Sequence, residues 1–333
     1  MRSGLFMTEF NFISFNDVHI SDTNPRARLD NYKETILGKI LQAKEACIRV
    51  RADAALIAGD LFNLKNPTKN SHRLNQELIK VFSQFPCPIY MIEGNHDLTA
   101  NRLESLEEQP LGVLFADKTL RQLRHEILEK NGSKVSLVGI PYTEDMDIGA
   151  LNIPENKGYV SQICLMHTHA GLKSGMIFGD RLWGYDELAK LSPDVFVIGH
   201  YHIDQGTYEL DGKHFVNIGS MCRGSLSEDN IEHHPQIGHI KITADEVGTR
   251  YDVEAIELQI RPASEVFDLV KKQEEKKESE DIKLFVDKLA TEVANDSSIK
   301  TEDLTEKINV MDLSQAVKDR ANHYLQEARL SKK

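Results

Sequence analysis

Five short segments of this chain carry residues that could do chemistry, and each follows an apolar run. They are Asp17-Val-His19, Gly59-Asp60, Gly94-Asn-His-Asp97, His167 after Ile163-Cys-Leu-Met166, and Gly199-His-Tyr-His202. Together they offer carboxylates, an amide and imidazoles, a donor set suited to divalent first-row metals. Asp-x-His or a strand ending in Gly-Asp is commonplace by itself, the second being an ordinary turn in most proteins. Gly-Asn-His-Asp is more specific, because it sets an amide, an imidazole and a carboxylate on one tight turn. A carboxylate between two cations can bridge them, and metals about 3.5–4 Å apart clamp an in-line displacement at phosphorus. The set as a whole points to hydrolysis of a phosphate ester at a dimetal site.

Such a site needs a scaffold that brings five chain segments to one rim. The apolar pattern supplies it. Residues 11–15, 54–58 and 88–92 read as strands, with helical spacing over 29–50 and 69–85 between them. Strands joined by helical crossovers imply a parallel sheet, and sites in such sheets form beyond the carboxyl ends of the strands. Further strands are expected at 135–138, 162–166 and 195–198. Four more follow without helices, at 206–210, 214–218, 237–243 and 253–258, with a hairpin turn at Leu210-Asp-Gly-Lys213. The expected fold class is α/β, a two-sheet sandwich flanked by helices with a C-terminal helical appendage.

The 333 residues are 40% hydrophobic and 28% charged, enough apolar material for a sizeable core. The net charge of −12 argues against a generic nucleic-acid coat, which would be basic. It leaves room for an enzyme acting on phosphate esters, since bound divalent cations reverse the local field. Four cysteines without a Cys-x-x-Cys pair argue for reduced thiols and against a zinc knuckle. No apolar run is long enough to span a bilayer, and the N-terminus has no signal-peptide core. A soluble, cytoplasmic protein is expected. Near residue 260 the composition changes, and 271–281 is almost all charged. The expected division is a catalytic domain over 1–260, a linker over 261–281 and a helical segment over 282–333, with apolar stripes at 282–293 and 313–330.

The ordered set of motifs resembles that of the calcineurin-like metallophosphoesterases over most of residues 10–260. Asp17-Val-His-Ile-Ser-Asp22 followed by Arg28 and Tyr32, Gly59-Asp-Leu-Phe62 with Pro67, and Asn217-Ile-Gly-Ser-Met221 resemble the SbcD and meiotic-recombination-eleven (Mre-type) DNA repair nucleases, phage-encoded members included. Protein Ser/Thr phosphatases fit less well, because Leu61-Phe-Asn-Leu64 stands where they carry Asp-Arg-Gly. The resemblance implies a two-sheet metallophosphoesterase sandwich and a DNA exonuclease/endonuclease that hydrolyses phosphodiesters through a dimetal-activated hydroxide. It also implies two divalent ions, Mn²⁺ foremost and Mg²⁺ or others as alternatives. The implied partners are DNA, an SbcC-type ABC/SMC-like ATPase docked on the C-terminal helices, and a second copy of the chain. The rival reading is a stand-alone phosphodiesterase acting on nucleotides or cyclic nucleotides.

Carried over residue by residue, the family pattern gives Asp17, His19, Asp60 and His202 to one metal, and Asp60, Asn95, His167 and His200 to the other. His96 would face the substrate as the catalytic residue, and Asp97 would orient a neighbouring imidazole. His169, two residues beyond His167, is the alternative ligand. Asn63 departs from the His or Asp of many family members, which puts proton transfer there in doubt. Arg26, Arg28 and Arg223 are candidates for DNA phosphates, against ordinary surface charge. Tyr142 and Trp183 could stack on a base, with core packing as the plainer reading.

Overall fold

The computed structural model describes residues 7–177 and 179–271, together with 273, 282, 305, 308, 318 and 321–323. The chain divides after Phe267 into two compact units. Every candidate site residue lies in the first.

The first unit begins with β1 (Thr8–Phe15), α1 (Tyr32–Val50), β2 (Ala54–Ala58), α2 (His72–Phe82) and β3 (Ile89–Ile92). Then come α3 (Pro110–Ala116), β4 (Arg121–Gln122), β5 (His125–Lys130), β6 (Ser133–Ile140) and β7 (Ser161–Thr168). A small excursion follows, formed by β8 (Ala170–Gly171), β9 (Gly175–Ile177) and β10 (Asp180–Gly184), and it leads into α4 (Tyr185–Leu188). The unit ends with β11 (Val195–His200), β12 (Gly206–Leu210), β13 (Lys213–Asn217), α5 (Glu228–Glu232), β14 (Gln236–Asp245), β15 (Gly248–Glu257) and α6 (Ala263–Val266).

Two six-stranded sheets result, ordered β15-β14-β1-β2-β3-β4 and β12-β13-β11-β7-β6-β5. Their centres are parallel: β1 pairs β2 and β2 pairs β3 in one, while β6 pairs β7 and β7 pairs β11 in the other. The strands alternate their apolar side chains between two cores, as a pleat requires. Phe10, Phe12, Leu56 and Ala58 of the first sheet meet Ile163, Leu165, Val195 and Val197 of the second. Ile13, Phe15, Ala55 and Ile57 point the other way, onto Ile36, Ile40 and Cys47 of α1 and Leu74 and Leu78 of α2. Cys164, Met166, Phe196 and Phe215 cover the outer side of the second sheet with Trp183, Tyr185 and Leu188.

Helix α1 starts where the Asn31 side chain accepts from the Glu34 N–H, and it stops at Arg51, which takes a left-handed conformation. The hairpin turn Asp211-Gly212 has positive φ at both residues, 52° and 71°, which the right-handed strand twist favours. The first unit extends past the composition change near residue 260, because α6 and Phe267 pack back onto it. Leu29 N–H donates to Val266 O at 3.0 Å, and the Arg28 guanidinium lies 5.1 Å from the Phe267 ring centroid.

Of the second unit, residues 268–333, the described part is sparse. Ile282, Ile308 and Ala321 are helical and buried. The stripes expected at 282–293 and 313–330 and the charged stretch 271–281 otherwise lie outside the described residues. No helix among the described residues is long and apolar enough to cross a membrane.

Candidate metal centre

The carboxyl ends of β1, β2, β3, β7 and β11 meet at one edge of the sandwich: the first three motifs begin within two residues of the ends of β1, β2 and β3, while His167 and His200 are among the last residues of β7 and β11 themselves. Asn16, the first residue beyond β1, ties the two sheets together there. Its Nδ2 donates to Ile198 O at 3.0 Å in the second sheet, and its Oδ1 accepts from Ala58 N–H at 3.0 Å in the first. The loop after β1 is laced to the loop after β2 by Asp17 N–H to Gly59 O, His19 N–H to Asp60 O and Ile20 N–H to Leu61 O. Both loops are strained. Asp17, His19 and Asp60 have φ near +50°, and His200 has φ of 90°. Left-handed backbone at non-glycine residues is costly and gathers at functional sites.

Two donor sets emerge. Asp17, His19, Asp60 and His202 converge in one, and Asp60, His167 and His200 in the other, with all ligand atoms of a set within 4.8 Å of one another. Asp60 belongs to both. His19 Nε2 lies 3.0 Å from His202 Nε2 and 3.6 Å from Asp60 Oδ2. His167 Nε2 lies 3.4 Å from Asp60 Oδ2 and 3.2 Å from Asn95 Oδ1, which brings Asn95 into the second set. His169 faces Asp180 at 3.8 Å and His200 instead, in a separate group that does not contain Asp60.

The donors fit a pair of cations. Asp60 Oδ2 and His19 Nδ1 are buried and without a hydrogen-bond partner among the described residues, and a bare buried carboxylate oxygen is costly unless a cation meets it. Asp60 Oδ1 accepts from His96 N–H at 2.8 Å, which aims Oδ2 inward. His167 Nδ1 donates to Ala58 O at 2.7 Å, so in the neutral ring Nε2 carries the lone pair on the Asp60 side. Burial pushes His19 and His200 down to about 3, leaving both rings neutral and able to donate electron pairs. Burial also opposes charge on Asp60, but His167, His19 and His96 hold its carboxyl below the ordinary carboxylate range. His167 is lowered by burial yet driven up to about 9 by Asp60, whose charge a divalent ion would compensate in place of that proton.

Glycines make the close approach possible. A Cβ on Gly94 would collide with Asp60 Oδ1, and one on Gly59 with the His167 ring. Asp97 is buried and accepts from Asp60 N–H (2.9 Å), Gly94 N–H (3.0 Å) and Phe62 N–H (3.2 Å), so it clamps the second and third motifs together rather than orienting an imidazole. His96 donates from Nδ1 to Asn63 O at 2.8 Å, which leaves Nε2 as its other polar atom, and the residue lines the cleft. Asn63 therefore contributes a backbone carbonyl at this site, whatever its side chain.

The arginines expected to meet phosphates divide. Arg26 is exposed. Arg28 and Arg223 are only 6% and 3% exposed. Arg28 binds both oxygens of Asp30 at 2.7 Å and the Arg223 carbonyl, and Arg223 donates to Arg261 O. Asp30 meets the charge of Arg28, and Arg223 is buried with a backbone carbonyl as its partner, so neither faces DNA from this position. They hold the loop after β13, together with Lys39 Nζ, which donates to Met221 O at 2.7 Å, while Tyr32 Oη holds the loop after β1 by donating to His19 O at 2.8 Å. Sequence reading gave Asn16 and Glu93 no role at the site. Glu93 is buried, bonds Arg124 and Gln122 through its carboxylate, and accepts Tyr142 N–H through its carbonyl. Glu93 immediately precedes the Gly-Asn-His-Asp turn, the signal that could have drawn attention to it.

The larger cleft at the site, about 690 Å³, is lined by Asp60, Asn95, His96, His200 and His202, and also by Asp204, Asp229, Glu232 and Glu257, with no Lys or Arg among the described residues that line it.

Residues 10–204 match the calcineurin-like phosphoesterase family. Among curated proteins, the DNA double-strand break repair protein Mre11 of Methanococcus maripaludis is 27% identical over 163 residues, covering 45% of this chain and 42% of that protein. The protein of the same name from Sulfolobus acidocaldarius is 23% identical over 320 residues, covering 92% of this chain and 80% of its own length. The chain spans about half the length of the methanogen relatives it matches. Among solved structures, a 5′-nucleotidase-like protein of Staphylococcus aureus in complex with alpha-ketoglutarate aligns with a TM-score of 0.50 at 15% identity, covering 76% of this chain and 55% of that one. At that identity the likeness bears on fold alone.

Proposed function

Since the chain belongs to the calcineurin-like phosphoesterase family, we propose that it is a dimetal phosphodiesterase acting on DNA, the nuclease subunit of an end-processing complex of the SbcCD kind. The observation that carries this reading is the pair of donor sets sharing one buried carboxylate, Asp60. Asp17, His19 and His202 would complete one site, and Asn95, His167 and His200 the other. Two divalent ions held there, Mn²⁺ foremost, would supply Lewis acidity and lower the pKa of bound water.

The chain's own residues do the remaining work. Asp97 and Asn16 fix the loops so that the donors need not reorganise on binding. His96 is the catalytic residue. With Nδ1 committed to Asn63 O, only Nε2 can reach substrate, and in the charged ring it donates a proton to the leaving oxygen. The T-shaped contact with His19, 4.8 Å between centroids, sets the orientation of the His96 ring.

The names of the relatives support DNA as substrate, and the acidic cleft wall has a consequence for how it is held. With no Lys or Arg among the described lining residues, phosphate affinity would come from the metals, from exposed cations such as Arg26, and from a partner. We assign that partner as an SbcC-type ATPase docked through residues 282–333, in an assembly containing two copies of this chain. The same acidic wall favours one rival, a stand-alone phosphodiesterase of nucleotides or cyclic nucleotides. Mn²⁺-dependent turnover of linear duplex DNA exceeding that of small phosphodiesters supports the nuclease, and the reverse order supports the rival. Loss of both activities in Asp60→Ala is expected, and an active Asp60→Ala protein would refute the bridge.

A further inference from the structure

We propose that a second cavity beside the metal centre is a nucleoside subsite, which receives the base attached to the phosphate under attack and prefers bases rich in N–H donors. The inference rests on the proposed function and adds a recognition element to it. The cavity, about 270 Å³, shares His169 and His200 with the larger cleft and so opens beside the second donor set. Its volume lies just below the roughly 300–1,000 Å³ of small-molecule sites, room for one nucleoside and too little for a duplex end.

Tyr142 gives it an aromatic wall. The ring is partly exposed, 5.2 Å from the His200 ring centroid and 6.0 Å from that of His167. Its backbone is pinned by Glu93 O at 3.0 Å, so the ring keeps its place relative to the Asn95 turn. Trp183 also lines the cavity but is only 7% exposed, with the Arg181 guanidinium 4.0 Å from its ring centroid. The face open to a base is therefore that of Tyr142, and stacking on it is tolerant of sequence.

The polar lining selects what stacks there. Glu144, Asp145 and Asp180 contribute three carboxylates against one guanidinium, that of Arg181. Such a wall repels a phosphate and accepts hydrogen bonds from amino and ring N–H groups. Guanine presents two adjacent donors on its Watson–Crick edge, and thymine one. His169 also lines the cavity, with its Nε2 3.8 Å from an Asp180 carboxylate oxygen.

Trp183 is the chain's one tryptophan and lines the cavity, so its fluorescence reads occupancy without any turnover. Titration of the full chain with deoxyguanosine 5′-monophosphate in Mg²⁺ should give a saturable change, with deoxythymidine 5′-monophosphate binding more weakly. Tyr142→Ala should weaken binding about five- to 150-fold, the range for losing one base–aromatic stack, and Tyr142→Phe should restore it. Asp180 sits on the exposed rim, so Asp180→Asn tests the polar half without risk to folding, and it should narrow the guanine-over-thymine preference. Hydrolysis of bis(p-nitrophenyl) phosphate by the wild-type protein is followed in parallel. Turnover without a saturable Trp183 signal overturns the subsite and leaves the phosphodiesterase standing. So does a signal that Tyr142→Ala does not weaken, or an unchanged base preference in Asp180→Asn. A Tyr142-dependent signal without turnover of any phosphodiester supports the nucleoside site and refutes the hydrolase.

Discussion

Replacing Asn16 by Ala removes a side chain that hydrogen-bonds both sheets at the metal edge. Asn16 is 1% exposed, and it satisfies Ala58 N–H on β2 and Ile198 O on β11, each at 3.0 Å. Ala leaves both groups buried and unpaired, at about 1–3 kcal/mol apiece. Because neighbouring losses do not add fully, about 2–4 kcal/mol is expected, which for a unit of this size lowers Tm by about 5–15 °C. Asn16→Asp keeps an acceptor for Ala58 but sets a carboxylate against the Ile198 carbonyl and beside Asp17, so it should be no better than Ala. Asn63→Ala is the contrast: the site uses the Asn63 backbone carbonyl, so the change should stay within about 0.5 kcal/mol. Since Ala58 precedes Gly59-Asp60 and Ile198 precedes Gly199-His200, Asn16→Ala should also weaken Mn²⁺ binding by tenfold or more. Urea denaturation followed by circular dichroism and calorimetric metal titration read the two effects. Wild-type stability and wild-type metal affinity in Asn16→Ala would refute the idea that this clamp positions the donors.

Two glycines give opposite signs. Gly94→Ala puts a methyl into Asp60 Oδ1 and should reduce metal affinity at least tenfold by calorimetry, whereas Gly38→Ala, in α1 with nothing within 4 Å of its new Cβ, should raise stability by about 0.5–1 kcal/mol. Lys39 is 2% exposed, and burial, with Arg223 and Arg28 nearby, pushes it down to about 7 from an ordinary 10.5. Between those values the unfolded chain holds a proton that the folded one lacks, so this group makes stability rise with pH over that window. Relative to Lys39→Met, the wild type should gain about 2–3 kcal/mol from pH 7 to pH 9 in paired urea denaturations. Parallel pH profiles for the two proteins would contradict the burial of a titrating ammonium.

The fold was legible where the apolar pattern was strong. Ala54–Ala58 and Gly206–Leu210 read as strands with the limits they have, because both are bounded by residues that break pairing. Strand β5 was missed: His-Glu-Ile-Leu-Glu-Lys is an exposed edge strand whose charges mask any apolar alternation. Its signal was the turn after it, Asn131-Gly132, where φ is 52° and 81°. The excursion β8 to β10 was equally hidden, since short strands held by a few cross-strand pairs leave little periodicity. At the site, residue types and order pointed to the donors, because each lies at or just beyond a strand's carboxyl end and those ends share a rim. Motif order could not tell which charges stay free. Arg28 and Arg223 looked like phosphate binders until Asp30 and the backbone carbonyls that use them were seen. Nor could it separate His167 from His169, two residues apart on or just beyond one strand. The contact of His167 with Asp60 depends on how β7 packs across the sandwich against β2, where His167 Nδ1 meets Ala58 O, and no local pattern encodes that.

The central claim is that Asp60 lies between two cations. Crystals grown with Mn²⁺ and measured for its anomalous scattering should show two peaks about 3.5–4 Å apart, one beside Asp17, His19 and His202 and one beside Asn95, His167 and His200, each within coordination distance of Asp60. A single peak, or a pair that leaves Asp60 outside coordination distance, would contradict the account.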